Sequence, residues 1–304
     1  MAQNTTPIAL STYKNPWLKL LLLTGLVFMG ASVGHWAIRA LNWPYAEVAQ
    51  PITGHVHSYK KFLLITQATI ASSAFIGAPM FYWRFIEHKQ VRLLFQWRQG
   101  YAYPILLTLG LVFSCMLVNT LLIQWNLSVR LPAFLADFEN WAQNKEAELK
   151  RLTELLTTFY NTTDFLSGIV VIAFIPAIGE ELLFRGIVQS LFYQITKSTH
   201  LAIYIAALIF SAIHSQFYGL LPRFLLGVLF GYIYEWTKDL AFPTIAHFFN
   251  NSFTLFMLFL HQQGSIKQDV QTTQALPLPV ITLFTVISLA LASTLQRHSR
   301  RKFS

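Results

Sequence analysis

Apolar residues run along this chain in blocks of about 20, each long enough as a helix to cross a hydrocarbon layer of roughly 30 Å. The blocks fall at Trp17–Ile38, Phe62–Phe85, Pro104–Leu122, Leu166–Tyr193, Leu201–Ser215, Leu221–Trp236, Pro243–Leu260 and Leu278–Leu295. They predict an all-α polytopic membrane protein, a bundle of eight transmembrane helices with the fifth and sixth short. Between the third and fourth blocks the pattern changes. From Gln124 to Thr163, charges of both signs interrupt Leu131, Phe134, Leu135, Phe138 and Trp141, then Leu149, Leu152, Leu155, Leu156 and Phe159, at helical spacing. This predicts one or two amphipathic helices lying on the outer membrane face, either closing the bundle or acting as a substrate lid. Asn161-Thr162-Thr163-Asp164 offers an N-cap to the fourth span. The expected organisation is N-terminal transmembrane helices over 1–123, the extramembrane amphipathic segment over 124–163, a core over 164–262, and a last helix with a basic tail over 263–304.

Composition agrees. Of 304 residues, 54% are hydrophobic, 15% aromatic and only 12% charged, with a mean hydropathy of +0.47. A soluble domain carries about 25% charged residues, so the chain belongs in a membrane. Its net charge of +9 raises nucleic-acid binding, but the placement of the basic residues argues for a lipid bilayer as partner and no nucleic acid. Lys14 and Lys19 flank the first span, Lys89, Arg92 and Arg98 lie between the second and third, and Arg297, Arg300, Arg301 and Lys302 follow the last. With an even number of spans these share one side, and the positive-inside rule puts both termini in the cytoplasm. The opposite loops hold Lys60, Lys61, Lys145, Lys150 and Arg151, so the bias is moderate. The first apolar run is too long for a signal peptide and lacks a small-residue cleavage site. Cys115 lies inside the third span as a packing residue, without a disulfide partner.

The fourth span carries Gly179-Glu180-Glu181-Leu182-Leu183-Phe184-Arg185-Gly186. Each ionised group at membrane depth costs about 3 kcal/mol on insertion scales, so three in one span need partners or a wet cavity. Glu181 and Arg185, four apart, share a helical face in the favourable acid-before-base order. Glu180 is turned about 100° away, free to face a cavity. Pro176 and Gly179 precede the pair, the first removing a backbone donor and the second permitting close helix approach, and Gly186 offers the same on the far side. The fifth span ends in Phe210-Ser211-Ala212-Ile213-His214, and the seventh holds His247-Phe248-Phe249-Asn250-Asn251, with His247 and Asn251 on one face. Singly, each is explained as an interfacial histidine or as interhelical glue. Together, on three spans, they imply one shared polar site. A proton-relay transporter would also use buried Glu and His, but the internal repeats such a fold favours are absent. A serine nucleophile at Ser211 or Ser215 has no motif behind it, and His55 and His57 read as a solvated loop rather than a metal site.

The three motifs resemble those of the CPBP intramembrane proteases, the group that includes type II CAAX prenyl endopeptidases and bacterial Abi or bacteriocin-immunity proteins. Glu180, Glu181 and Arg185 fit the first motif, Phe210 and His214 the second, His247 and Asn251 the third. The likeness covers roughly Asp164–Leu260, and the eight-span layout suits it. It implies an endopeptidase that hydrolyses a membrane-associated peptide or protein in a bacterial cytoplasmic membrane. Peptide hydrolysis needs an activated water and donors at the developing oxyanion. Glu180 is then the general base, His214 orients and polarises the water, His247 and Asn251 donate to the tetrahedral oxygen, and Glu181 with Arg185 is a supporting ion pair. A second version places one divalent metal, such as zinc, on Glu180, His214 and His247, with a position open for water; the metal-free version needs no cofactor. The other readings are a catalytically idle immunity or maturation factor and, behind it, the transporter. Neither substrate nor oligomeric state is legible.

Overall fold

The structure, a computed structural model, describes residues 14–40, 56–90, 94–96, 100–267 and 275–303; these are almost wholly helical, with no strand among them. In chain order the helices are α1 (Pro16–Ala40), α2 (Ser58–Ile86), α3 (Ala102–Ser128), α4 (Ala136–Leu156), α5 (Thr162–Thr196), α6 (Thr199–Ala212), α7 (Leu220–Thr237), α8 (Ala241–Gln262) and α9 (Leu278–Phe303). The chain is thus a polytopic all-α membrane protein. Against the eight predicted spans, six helices among the described residues are long and apolar enough to cross a bilayer: α1, α2, α3, α5, α7 with its lead-in turn, and α9. The other two fall short for different reasons. α6 has 14 residues, about 21 Å at 1.5 Å per residue. α8 has 22, but His247, Asn250, Asn251 and Ser252 interrupt its apolar surface.

The predicted amphipathic segment resolves into one helix. Gln124–Ser128 continue α3, a 3₁₀ turn covers Ala133–Leu135, and α4 takes 21 residues. α4 buries Ala142 and Leu156 against the bundle while Phe134, Phe138 and Trp141 remain exposed on its apolar side. Phe138 meets Phe217 edge-on at 5.5 Å, which docks α4 on the short turn Phe217–Gly219 leading into α7. Beyond α4, Gln262 accepts from the Phe159 N–H at 2.8 Å and donates to the Thr157 carbonyl at 2.9 Å. Lys60 donates to the Thr158 carbonyl and lies 3.8 Å from Asp164. The linker is therefore pinned to α8 and α2. Asn161 caps α5, its Oδ1 accepting from the Asp164 N–H at 2.9 Å. The His55 position lies outside the described residues, as does the His57 side chain.

Small residues let backbones touch where lipid offers no hydrophobic drive. On α1, a Cβ at Gly30 would sit 2.5 Å from the Ser73 carbonyl oxygen, and one at Gly34 would sit 2.8 Å from the Ile70 Cα. This Gly-x-x-x-Gly pair seats α1 on α2. α2 in turn presses its Phe75 against Gly179 of α5, where a Cβ would approach to 2.8 Å. On the other flank α3 and α9 share a polar seam, Ser288 donating to Ser114 Oγ at 2.9 Å and Cys115 to Ser288 at 3.6 Å. Leu111, Val112, Phe230, Ile233, Phe242 and Leu295 fill the core beside it. Asp239, in the α7–α8 turn, accepts from the Gln96 N–H at 3.0 Å and the Ala241 N–H at 2.9 Å, and from the Tyr101 hydroxyl, which fixes where α8 begins.

Both α2 and α5 contain π turns, at Ser72–Gly77 and Tyr82–Ile86 in the first and at Ile169–Phe174 and Phe184–Val188 in the second. In each helix one of them immediately precedes a proline turn, at Pro79 or Pro176. A proline lacks an N–H and crowds the carbonyl four residues back, and a widened turn relieves that crowding.

Replacing Gly30 or Gly34 by valine should cost about 1–3 kcal/mol through overpacking against α2. The check is the thermal unfolding midpoint in detergent, and an unchanged midpoint in both variants would contradict the close α1–α2 seam.

Candidate catalytic site

The first motif lies on α5 between its two π turns. Glu181 and Arg185 are both fully enclosed, at 0% and 1% exposure, and Arg185 Nη1 donates to Glu181 Oε1 at 2.7 Å. Arg185 Nη2 donates to the Gly227 carbonyl of α7 at 2.8 Å. Its guanidinium also lies over two rings, 5.0 Å from the Phe210 centroid and 5.5 Å from that of Phe230, a cation–π cradle that replaces hydration. Gly227 permits this approach: a Cβ there would press Ala207 at 3.0 Å, holding α6 and α7 apart. A buried guanidinium is tolerated only when paired and hydrogen-bonded, and here a carboxylate, a carbonyl and two ring faces do so.

The same carboxylate oxygen reaches α8. His247 Nδ1 stands 2.8 Å from Glu181 Oε1. A carboxylate held ionised by arginine can only accept, so Nδ1 carries the proton and Nε2 is turned outward. Nε2 faces Glu180 Oε2 at 3.9 Å, and the Glu180 side chain keeps 12% of its surface open. The His247 ring stacks on Phe230 at 5.2 Å and meets Phe210 edge-on at 6.0 Å. Glu181 thus orients an imidazole toward the second glutamate, as the buried acid of a catalytic triad orients its histidine.

His214 arrives from the other side of Phe210. The fifth predicted span ran through this residue, but α6 stops at Ala212 and His214 sits in the turn that follows, closed by Ser215 at a φ of +54°. Its Nδ1 lies 2.8 Å from the Phe210 carbonyl and therefore donates, leaving Nε2 outward. The His214 ring meets Phe210 edge-on at 5.2 Å, so one phenyl ring touches both histidines. Asn251, one turn along α8 from His247, is held by two other groups. Its Nδ2 donates to the Ile172 carbonyl at 3.5 Å and its Oδ1 accepts from Asn250 at 3.0 Å. Ile172 is four residues before Pro176, so the proline has withdrawn that carbonyl's ordinary helical donor. Ser211 is buried and donates to the Leu220 carbonyl at 2.6 Å, which engages its hydroxyl in the α6–α7 turn.

The metal version meets a different outcome. Among the described residues no three His, Cys, Asp or Glu side chains are arranged to hold a metal ion. Glu180, His214 and His247 are not such a group, although each imidazole ties its Nδ1 to an oxygen and leaves Nε2 outward, as metal-binding histidines also do. The structure also adds residues that motif reading passed over. Phe230 and Gly227 carry no signal beyond being apolar and small. Arg223 did have one, being an ionisable residue within the sixth predicted span.

The model of the type II CAAX prenyl endopeptidase Rce1-like family matches residues 162–253, from the cap of α5 to two residues past Asn251. The resemblance therefore covers the segment that carries Glu180, Glu181, Arg185, His214, His247 and Asn251. The chain's match to an uncharacterized protein, YpbD, of Bacillus subtilis (strain 168) is 34% identical over 84 residues, 26% of this chain and 40% of that protein. The membrane-embedded CAAX protease MroQ of Staphylococcus aureus (strain USA300) is 31% identical over 110 residues, 34% of this chain and 44% of its own length. Less than half of either relative's length is covered by its match. No solved structure matches the chain.

Removing the Glu181 carboxylate strands Arg185 inside the bundle, and breaking a buried pair in this way costs about 3–5 kcal/mol. Glu181→Ala should therefore lower the unfolding midpoint in detergent well below that of Glu180→Ala. Equal midpoints would refute the structural share given to Glu181.

Proposed function

We propose that the chain is an intramembrane endopeptidase that hydrolyses a peptide bond of a membrane-associated peptide or protein with water activated by Glu180. The observation that carries this reading is the line Arg185–Glu181–His247–Glu180, in which a buried ion pair fixes an imidazole against a second, less enclosed carboxylate. The similarity of residues 162–253 to the Rce1-like family, and of part of the chain to a membrane-embedded CAAX protease, supports it.

Water would lie between Glu180 Oε2 and the His247 ring. Two hydrogen bonds of about 2.8 Å at a tetrahedral angle span about 4.6 Å, so the 3.9 Å separation must open by less than 1 Å to admit one. Glu180 removes a proton as the water oxygen attacks the carbonyl carbon, and the carbonyl electrons move onto oxygen. Asn251 donates to that oxyanion from its amide, and His247 donates from Nε2 when it carries a second proton. His214, with Nδ1 tied down, presents Nε2 to orient the water. Glu180 then returns its proton to the departing nitrogen as the C–N bond breaks, so the step balances without a further reactant. No step is routed through a metal, because the three candidate ligands do not converge. We further place both termini in the cytoplasm of a bacterial membrane, where the basic residues between α2 and α3 and after α9 accumulate.

Proteomic comparison of membrane peptides between wild type and Glu180→Gln tests the reading. Cleavage products present in wild type should fall by about 10²–10⁴-fold in the variant, the usual worth of a general base. Wild-type cleavage by Glu180→Gln would sink the assignment, and complementation of a deletion phenotype by that variant would favour an idle, partner-binding role. Chelation with loss of bound divalent metal should leave the rate of cleavage unchanged; a parallel fall in metal content and turnover would restore the metal version.

A further inference from the structure

We infer that Arg223 binds a carboxylate of the substrate, beside Glu180 and His214. The inference rests on the endopeptidase reading and narrows it to peptides with an acidic group near the scissile bond. Arg223 lies one turn inside α7, in a span where a charge costs about 3 kcal/mol unless it is compensated. Its compensation is incomplete. Nη2 donates to Gln216 Oε1 at 2.6 Å, while Nη1 is buried and has no hydrogen-bond partner among the described residues. No ion pair to Arg223 occurs among those residues either.

One acid is held a residue away from it. Gln216 Nε2 donates at 3.3 Å to Glu146 Oε1, on the buried side of α4, and Glu146 Oε2 is likewise buried without a partner. The amide of Gln216 therefore separates a cation from an anion that would otherwise pair. Gln216 is two residues past His214, so the bond from Nη2 ties the guanidinium to the turn that carries a site histidine, and its charge acts on both Glu180 and His214. Two arginines act on Glu180. Arg185 is consumed by Glu181, the Gly227 carbonyl and two rings, whereas Arg223 retains donors. Gly219 borders it closely, a Cβ there falling 3.0 Å from Nη1 and 3.2 Å from Nη2, so the backbone fixes where the fork points.

A guanidinium with unused, coplanar donors recognises a carboxylate in preference to a neutral carbonyl, because the pair is charge-assisted and its fork matches two oxygens. The carboxylate of a peptide comes from its C-terminus or from an Asp or Glu side chain. The chemistry is shared, and the test separates the sources.

Peptides cleaved by wild type and spared by Glu180→Gln would be synthesised as matched pairs: Asp or Glu against Asn or Gln, and C-terminal acid against C-terminal amide. kcat/KM would be measured for each pair with the full-length protein in nanodiscs. Wild type should favour the carboxylate member of one pair by about 10–100-fold, the worth of a hydrogen bond to a charged group, and the pair that shows it names the source. Arg223→Gln should bring that ratio close to one, and Arg223→Lys should keep part of it, with unfolding midpoints verifying that both variants fold. A wild-type ratio near one, or a ratio that survives in Arg223→Gln, overturns the inference while Glu180-dependent cleavage upholds the endopeptidase reading. Absence of any Glu180-dependent cleavage overturns both.

Discussion

One carboxylate oxygen organises this protein. Oε1 of Glu181 accepts from an arginine on its own helix and from a histidine on α8, at 2.7 and 2.8 Å, in a place no solvent reaches. In water such contacts are worth little; in a low-dielectric interior each one removed leaves a charge or a donor stranded. The rest of the bundle follows from keeping that oxygen served. α7 must bring the Gly227 carbonyl and the Phe230 ring to Arg185, α6 must supply Phe210, and α8 must present His247 at the right height. Three helices are thus fixed relative to α5 by the needs of a single ion pair. The reactive groups are what remains on its open side, with Glu180 the less enclosed of the two glutamates.

Much of this was legible before the fold. Helical spacing alone put Glu181 with Arg185 and separated Glu180, because those relations depend only on 3.6 residues per turn. The cap at Asn161 and the single-helix character of most spans followed from equally local rules. What escaped was tertiary or depended on length. Two of the eight predicted spans fall short among the described residues, α6 because a block of apolar residues does not reveal where a helix stops, which here is before His214, and α8 because polar residues interrupt its surface. The link from His247 to Glu181 joins positions 66 residues apart, and no periodicity encodes it. The metal set looked plausible because ligand identity is visible in a sequence whereas the spacing between side chains on different helices is not.

The aromatic residues show a similar division. Phe210 is present in the motif, yet nothing in its spelling indicates that one ring would carry an arginine on its face and a histidine at two of its edges. Arg223 is the opposite case. Its cost within an apolar span was countable from composition, and only the partners it lacks required coordinates.

The proline of α5 has a consequence for alignment. Along a continuous α-helix every carbonyl is occupied, so a neighbouring asparagine finds no reason to prefer one level over another, and two apolar helices can slide by a turn at small cost. Pro176 has no N–H to offer the Ile172 carbonyl four residues back, and Asn251 donates to that carbonyl. That contact is a mark at one height. It ties α8 to one level of α5, so the irregular turn in one helix acts as a ruler for the other, the helix that also brings His247 to Glu181.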